Sequence, residues 1–327
     1  MHASEQTVLV SDIDVRLRRA LMVDDATRPQ GARSATHVAI AWGLYVGLAV
    51  VVHRADLLAV SFVGWFLMGW LLLGNGAMTH ETVHGHLFRR SSTNTLVGFV
   101  AALSIGAPFG VYRAYHLGHH RYSVTADDPE GPPYLFTSRW IYLAIPFGGP
   151  LFAAQLYWWG LRTSVGRPPS FIGPRHRRAA VRDCLLGLAV FAVVAWLAVD
   201  HLGLVIDVWL APWLFAVAVL EPFVLLPEHY GAREQDAASP SRTTRTIVSN
   251  RLVTWVYWAN NFHTTHHLAA GLTPQRTPAL SREVVEPSLP AQWVDSGYLR
   301  FHWRLFTDLA RYAPRAAPVH SGDALDR

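Results

Sequence analysis

Long apolar runs separated by short polar links dominate the first part of the chain, and they predict membrane-spanning helices. Residues 36–52 are apolar over a length just sufficient to cross a bilayer, and residues 57–78 form a longer run of the same kind. Only residues 53–56 separate the two runs. The pattern therefore predicts a tight transmembrane hairpin.

A second pair of apolar runs lies beyond the middle of the chain. It covers residues 184–199 and 204–226, with the short polar link 200–203 between them. We predict a second hairpin here. The two hairpins together predict an all-α integral membrane protein with four transmembrane helices, because helices satisfy their own backbone hydrogen bonds in lipid.

The distribution of arginine predicts the orientation. All 28 basic residues are arginines, and the two hairpin links hold only one of them, Arg54. The others lie in segments that a four-helix arrangement puts on one side, as expected for a cytoplasmic face. Residues 79–183 and 227–290 are therefore predicted to form a cytoplasmic helical cap within a membrane domain over residues 36–290, in a bacterial inner membrane.

Two further apolar segments are interrupted by helix breakers. Residues 94–110 contain Gly106 and Pro108, and residues 140–159 contain two prolines and two glycines. We predict that the first is re-entrant or interfacial, because a full crossing would carry the following histidines to the opposite face. The second is predicted to be too broken for a span.

Residues 1–35 form a polar N-terminal segment without the apolar core of a secretory signal peptide. Ser11 and Asp14 have the spacing of a capping box, and Ile13, Leu17 and Leu21 fall on one helical stripe. The stripe predicts a short helix that either lies on the membrane surface or packs on the rest of the protein.

Residues 291–327 are predicted to contain a C-terminal helix and a disordered tail. Apolar side chains recur at helical spacing between residues 296 and 312, so one helix face should pack on the domain or on lipid. The chain after Pro314 is expected to be disordered.

Composition agrees with a membrane protein. Hydrophobic residues make up 51% of the chain, which also holds 13 tryptophans. The net charge of +5 suits an anionic membrane surface or an acidic protein partner, whereas nucleic-acid binding is not expected, because the arginines flank apolar spans instead of lining one polar face. The single cysteine, Cys184, cannot form an internal disulfide.

Three histidine groups carry the chemistry. Residues three and four apart share one helix face, so each group presents its imidazoles side by side. Histidine is 17 of 327 residues. At that frequency an HxxHH pattern at any given start has a chance on the order of 10⁻⁴. The first group is HxxxH and the other two are HxxHH: His80 and His84; His116, His119 and His120; His263, His266 and His267.

Eight convergent imidazoles predict a pair of transition-metal ions. Imidazole suits zinc, copper, iron and nickel, whereas magnesium and calcium prefer oxygen ligands. A single tetrahedral ion needs four ligands and would leave four histidines unexplained, so two ions are the more economical interpretation. The alternative is that these histidines are merely satisfied by hydrogen bonds.

At these residues the chain resembles the membrane fatty-acid desaturase and hydroxylase family, whose three histidine boxes hold a non-haem di-iron centre. The segment 127–130, Asp-Asp-Pro-Glu, follows the second box as an Asp-Pro commonly does in that family, and Asn261-Phe262 precedes the third box where Asn-Tyr is usual. Two features depart from the family pattern. Thr265 stands where many relatives carry Glu or Gln, and the first box reads His-Glu instead of His-Asp.

The resemblance implies an O2-dependent oxidoreductase with two iron ions (Fe2+/Fe3+), acting on a lipophilic substrate from membrane lipid. The eight box histidines would be its catalytic and metal-binding residues. It would desaturate an acyl chain of a lipid or a carrier-bound fatty acid; the alternative in the same family is a hydroxylase or ketolase of an isoprenoid or other lipophilic metabolite. No flavin, haem or ferredoxin motif is evident in the sequence, so an external, ferredoxin-like electron donor is expected.

A non-enzymatic membrane metal transporter is the alternative from a different class. It would need ionisable ligands along a pathway within the bilayer, whereas the histidine boxes lie at or beyond the ends of the predicted spans. Redox-inert zinc could not support oxygen chemistry, so iron content against zinc content separates the two hypotheses.

Further residues near the boxes are candidates for binding the metal or supporting its ligands. His229 follows the fourth predicted span, and members of the resembled family often recruit another histidine from this region, so we predict a ninth ligand that gives one iron five nitrogens. Glu81 is a candidate to orient a ligand imidazole. His86 is expected either to form an outer hydrogen bond or to be exposed. Asn261 is expected either to hold a water or a ligand or to cap a helix. No role is assigned to the histidines without a motif: His37, His53, His176, His201, His302 and His320.

Overall fold

The computed structural model describes residues 12–23, 25–131 and 138–312, and most of them are helical. Its α-helices, numbered in chain order, are α1 Asp12–Leu21, α2 Gly31–His53, α3 Leu58–His84, α4 Ser91–Ser104, α5 Phe109–Tyr122, α6 Ile145–Ser164, α7 Pro174–Val205, α8 Ala211–Leu214, α9 Glu221–His229, α10 Pro240–Thr243, α11 Arg251–Val256, α12 His263–Leu268, α13 Thr277–Leu280 and α14 Tyr298–Thr307. Two short strands, β1 (Thr246–Ile247) and β2 (Val294–Asp295), pair in parallel. This pair is an exception to the expected all-α fold.

Three continuous helical stretches are long and apolar enough to cross a membrane: Gly31–His53, Leu58–His84 and Pro174–His229. The helices α4 and α5, which meet at an angle of 103°, would make a fourth stretch if they count as one. The protein is therefore mainly helical, with three to four candidate spans. α2 and α3 pack against each other, as the first predicted hairpin requires.

Helix α3 runs without interruption from Leu58 to His84, so box one belongs to the last turns of a candidate span. Gly74 lies inside this continuous helix. A Cβ on Gly74 would lie 2.8 Å from the Val256 carbonyl oxygen, and glycine therefore permits close packing at this position.

The chain reverses direction near His201, where the second hairpin link was predicted. His201 has non-helical backbone angles, φ −130° and ψ 43°. The rings of Phe191 and Trp209 lie 5.8 Å apart, although 18 residues of straight helix would separate them by about 27 Å. The two halves of Pro174–His229 therefore pack side by side.

The break between α4 and α5 falls at Gly106, as the sequence predicts, and Gly106 has a positive φ of 73°. The carbonyl groups that lose their helical hydrogen bonds at the break accept hydrogen bonds from side chains. Trp209 Nε1 donates to the Ser104 carbonyl at 2.9 Å, and Trp213 Nε1 donates to the Ile105 carbonyl at 2.8 Å. Irregular backbone can lie at membrane depth when its polar groups are paired in this way.

Residues 145–164 form one helix, α6, with Pro150 inside it. This helix is not among the candidate spans of the described residues, which agrees with the expectation for residues 140–159. Pro146 occupies the first turn, where its missing N–H costs nothing, and a Cβ on Gly149 would lie only 1.9 Å from the Val217 carbonyl oxygen. The small residue therefore lets α6 pack against the second hairpin.

The segment before box three does not form one continuous helix with it. α11 ends at Val256, and Trp258 and Ala259 then adopt positive φ angles of 50° and 62°. Box three begins a separate helix, α12, at His263. The turn between α11 and α12 gives the third box an orientation that a single long helix would not provide.

Both ends of the described chain pack on the core. Leu17 and Leu21 of α1 are buried in a cluster with Leu268, so α1 packs on the rest of the protein. Ser11 of the expected capping box lies outside the described residues, and so does the expected disordered tail. The C-terminal helix α14 buries Tyr298, Phe301 and Leu305, which confirms the predicted packing face.

Candidate metal centre

Five histidines from three helices form a first donor group. α3 supplies two of them from its last two turns, α5 supplies two and α12 supplies one. Their donor nitrogens all lie within 4.8 Å of one another. The members of this five-histidine group are His80, His84, His116, His120 and His266.

Four histidines form a second group beside the first. Its members are His119, His229, His263 and His267, and their donor nitrogens also lie within 4.8 Å of one another. The structure thus brings together all nine predicted residues. One expectation is wrong in detail, because His229 belongs to the group of four and does not give one ion a fifth nitrogen.

Distances within the groups match ligands around metal ions. The Nε2 atoms of His84 and His116 are 3.0 Å apart, as are those of His120 and His266. In the second group the Nε2 atoms of His229 and His263 are 3.1 Å apart. Two nitrogens bound at right angles, each about 2.1 Å from an ion, are about 3.0 Å apart.

Hydrogen bonds on the outer ring nitrogens orient the donors inward. His229 Nδ1 donates to the Thr243 carbonyl oxygen at 2.9 Å, and a carbonyl can only accept, so the neutral ring presents the lone pair of Nε2 to the group. His119 Nδ1 lies 3.0 Å from a carboxylate oxygen of Asp128. Such outer partners fix the tautomer and raise ligand basicity.

Burial keeps the third box in the ligating form. Desolvation, followed by the charge of His229, holds the pKa of His263 well below its ordinary value of 6.5. Desolvation and His80 do the same for the pKa of His266, and desolvation and His120 for the pKa of His267. These rings are therefore neutral at neutral pH, which is the form that binds a metal. The donor set fits two transition-metal ions.

Sequence comparison agrees with this arrangement. The family model for fatty acid desaturase matches residues 55–298, which is most of the chain. The chain belongs to the fatty acid desaturase family. It is 25% identical over 297 residues to an sn-1 oleoyl-lipid 12-desaturase of Picosynechococcus sp., covering 81% of each chain. It is 22% identical over 262 residues to an sn-1 oleoyl-lipid 12-desaturase of Anabaena variabilis, covering 74% of this chain and 73% of the relative.

The acidic motif after box two serves the desaturase site through Asp128. This carboxylate also accepts hydrogen bonds from the backbone N–H groups of Val124 at 2.8 Å and Glu130 at 2.9 Å. Three sets of contacts therefore hold Asp128 in place behind His119. The Asp-Pro pattern in the sequence located this residue, but only the structure shows its partner.

Glu81 links two histidines on the other side of the desaturase site. Its Oε1 lies 3.1 Å from His80 Nδ1 and its Oε2 lies 2.8 Å from His86 Nε2. The geometry agrees with the hypothesis that Glu81 orients a ligand imidazole. His86 is buried and forms the expected outer hydrogen bond.

Asn261 supports the fold near box three and contacts no donor nitrogen in the described hydrogen bonds. Its Nδ2 donates to the Ile247 carbonyl at 2.9 Å, so it ties the loop before α12 to β1. Asn261 does not cap a helix either, because α12 begins at His263 without a side-chain cap. Asn250 accepts the Val253 N–H at the start of α11.

The segment from Ser239 to Ile247 was missed as part of the site, because its polar sequence resembles a surface loop. It is buried and supports both ends of the four-histidine group. Thr243 holds His229, and the Thr264 hydroxyl donates to the Thr244 carbonyl at 3.0 Å next to box three. Its polarity is explained by these hydrogen bonds.

Arg245 lies at the centre of the same segment and is 2% exposed. Its Nε donates to the Pro227 carbonyl at 3.1 Å and its Nη2 to the Tyr230 carbonyl at 3.0 Å. Its Nη1 lies 3.0 Å from Asp295 Oδ2. Pro227 and Tyr230 bracket His229, so the guanidinium holds the backbone that carries the ninth histidine.

Two of the histidines to which no role was assigned pack against aromatic rings or form hydrogen bonds away from the donor groups. His37 stacks between Trp255 and Trp258, with ring centroids 4.1 Å and 3.8 Å away. His302 Nε2 lies 2.7 Å from the Phe223 carbonyl, and its Nδ1 lies 3.0 Å from the Tyr142 hydroxyl. Neither residue belongs to a donor group among the described residues.

Proposed function

We propose that the protein is an O2-dependent desaturase that introduces a double bond into an acyl chain of a membrane lipid. The arrangement of nine histidines in groups of five and four, joined to candidate membrane spans, carries the proposal. The names of the two cyanobacterial relatives supply the acyl-lipid substrate class. At identities of 25% and 22%, the position of the new double bond in the acyl chain has to be determined by experiment.

Iron is the metal we assign to both groups, and it would supply the redox chemistry that activates dioxygen against an unactivated C–H bond. The five-histidine and four-histidine groups would each hold one ion. Asp128, Glu81 and the Thr243 carbonyl keep the protons of their histidines on Nδ1, so that the Nε2 atoms face the ions. The site histidines are buried or half-buried between the helices, which limits the access of water.

The reaction balance requires an external reductant. Removing two hydrogens from adjacent carbons forms one C=C bond and supplies two electrons and two protons. Reduction of one O2 to two waters takes four electrons and four protons, so two further electrons and two protons must be supplied. We assign the electrons to a separate ferredoxin-like donor.

We further propose that both hairpins cross the membrane, giving four spans with the histidine groups on the cytoplasmic side of a bacterial inner membrane. The reversal at His201 and the position of box one at the end of α3 support this topology. Single cysteines can be placed in a variant lacking Cys184. Position 54 or 201 should react with an impermeant thiol reagent in intact cells, whereas position 89 or 176 should not; reaction at 89 would refute the orientation.

Expression with a ferredoxin and its reductase in a host rich in oleoyl lipids tests the activity. We expect new double bonds in lipid acyl chains, located by mass spectrometry of derivatised fatty acids, and about two irons per protein. His266→Ala should lose both signals, and His201→Gln is a matched control because His201 is exposed and distant from the groups in sequence. Hydroxylated or oxidised isoprenoid products without new acyl double bonds would refute desaturation.

A further inference from the structure

A cationic groove lies between the start of α2 and the loop that follows box one. It is an open depression of about 630 Å³, lined by Arg33, Arg89 and Arg90 together with Phe88 and Thr93. No acidic side chain lines it within the described parts of the chain. We propose that this groove binds the phosphate of an anionic phospholipid head group and thereby presents that lipid's acyl chain to the desaturase site, an inference that rests on the proposed function.

The charge of the groove is uncompensated. None of its three arginines forms an ion pair with an acidic side chain over residues 12–23, 25–131 and 138–312. Arg33 donates only to the neutral Gln30 amide oxygen, at 2.9 Å. Guanidinium groups bind phosphate through paired hydrogen bonds, and Arg is well suited to that geometry.

The start of α2 adds partial positive charge to the groove. The Gln30 side chain makes no capping hydrogen bond, so it does not satisfy the free N–H groups of the first turn. Unsatisfied N–H groups at a helix start favour an anion nearby. This contribution reinforces the three arginines and does not replace them.

Apolar side chains are exposed further along α2 and α4, the two helices that begin at the groove. Ile40 on α2 is 48% exposed, and Leu96 on α4 is 63% exposed. Along the chain, the cationic side chains of the groove thus precede exposed apolar side chains by a few helical turns. A phospholipid has the same order of phosphate and acyl chain.

The groove is close to box one in the chain. Arg89 follows His84 by five residues, and five extended residues span at most about 18 Å. A phosphate bound there would keep the attached acyl chain near the two histidine groups.

Lipid retention by the full-length protein tests the proposal without requiring turnover. A triple variant, Arg33→Gln with Arg89→Gln and Arg90→Gln, removes the groove charge. Its matched control replaces three exposed arginines in the first turns of α7, Arg175, Arg177 and Arg178, by Gln. Each purified protein is titrated in detergent with phosphatidylglycerol or with neutral monogalactosyldiacylglycerol, and bound lipid is counted by native mass spectrometry.

We expect at least tenfold weaker binding of phosphatidylglycerol to the groove variant, with unchanged binding of the galactolipid and no change in the control. Wild-type binding of phosphatidylglycerol by the groove variant would overturn the proposal. So would equal losses for both lipids, or displacement of the lipid by an equal concentration of inorganic phosphate, which would indicate a site for free phosphate.

Turnover measured in the same detergent provides a second test of the proposal. The groove variant should lose activity on phosphatidylglycerol and keep activity on the galactolipid. A loss on both lipids that is relieved by more electron donor would instead identify the groove as a docking site for an acidic protein and overturn the lipid assignment. If no form desaturates any lipid while retention changes as expected, the proposed function fails and the head-group site remains.

Discussion

Replacing Arg245 by Met should destabilise the protein and empty the four-histidine group before the other. The guanidinium donates to the Pro227 and Tyr230 carbonyls on either side of His229 and pairs with Asp295. Breaking a buried ion pair by removing one partner costs about 3–5 kcal/mol. Arg304 remains 3.2 Å from the other Asp295 oxygen, so we expect the lower end, about 3 kcal/mol.

A double variant separates stability from metal binding. Arg245→Met with Asp295→Leu removes both buried charges, and such apolar replacements often restore the free energy of unfolding. The carbonyls beside His229 still lack their donor in the double variant. We therefore expect recovered stability but about one iron per protein instead of two, since the five-histidine group does not use this support.

Denaturant unfolding in detergent and metal analysis of the purified protein measure the two effects. The expected pattern is low stability with low iron in the single variant and near-wild-type stability with low iron in the double variant. Two irons in the double variant would refute the argument that Arg245 acts through His229. Wild-type stability of the single variant would refute the ion-pair estimate.

Three further predictions follow from the site and its packing. His229→Ala should reduce bound iron from about two to about one per protein and abolish turnover, because three histidines remain in its group; unchanged iron would remove His229 from the ligand set. Asp128→Asn should weaken metal binding by about 10–100-fold in a chelator competition, because His119 loses a charged partner; equal affinity would show that the charge is not needed. Gly149→Ala should lower the unfolding temperature, whereas Gly148→Ala should not, because an added Cβ meets the Val217 carbonyl at 1.9 Å in the first case and nothing within 4 Å in the second.

The histidine spacing predicted eight of the nine clustered histidines, and the family resemblance supplied His229, but neither predicted the division into two donor groups. His119 and His120 are neighbours in sequence and enter different donor groups, because adjacent residues on α5 point about 100° apart. His266 and His267 divide in the same way on α12. The two donor groups therefore take neighbouring histidines from different faces of each HxxHH helix, an arrangement that depends on how the helices meet.

Local sequence patterns failed where distant contacts decide the conformation. The polar segment containing Thr243 and Thr244 looked solvated, yet its carbonyls accept hydrogen bonds from His229 and Thr264. Trp258 and Ala259 adopt positive φ values that their side chains do not favour. Periodicity reports which residues are apolar, but it does not report partners more than a few residues away.

The pairing of β1 with β2 has a consequence for the order of biosynthesis. Ile247 pairs with Asp295, so the strand beside the ninth histidine acquires its neighbour only when the C-terminal region has been synthesised. Ribosomes add about 5–20 residues per second, and the membrane hairpins leave the exit tunnel well before that region. We therefore expect the candidate spans to insert before the four-histidine group is complete, and a ribosome stalled before residue 295 would leave an inserted chain whose ninth histidine lacks the support of this strand pair.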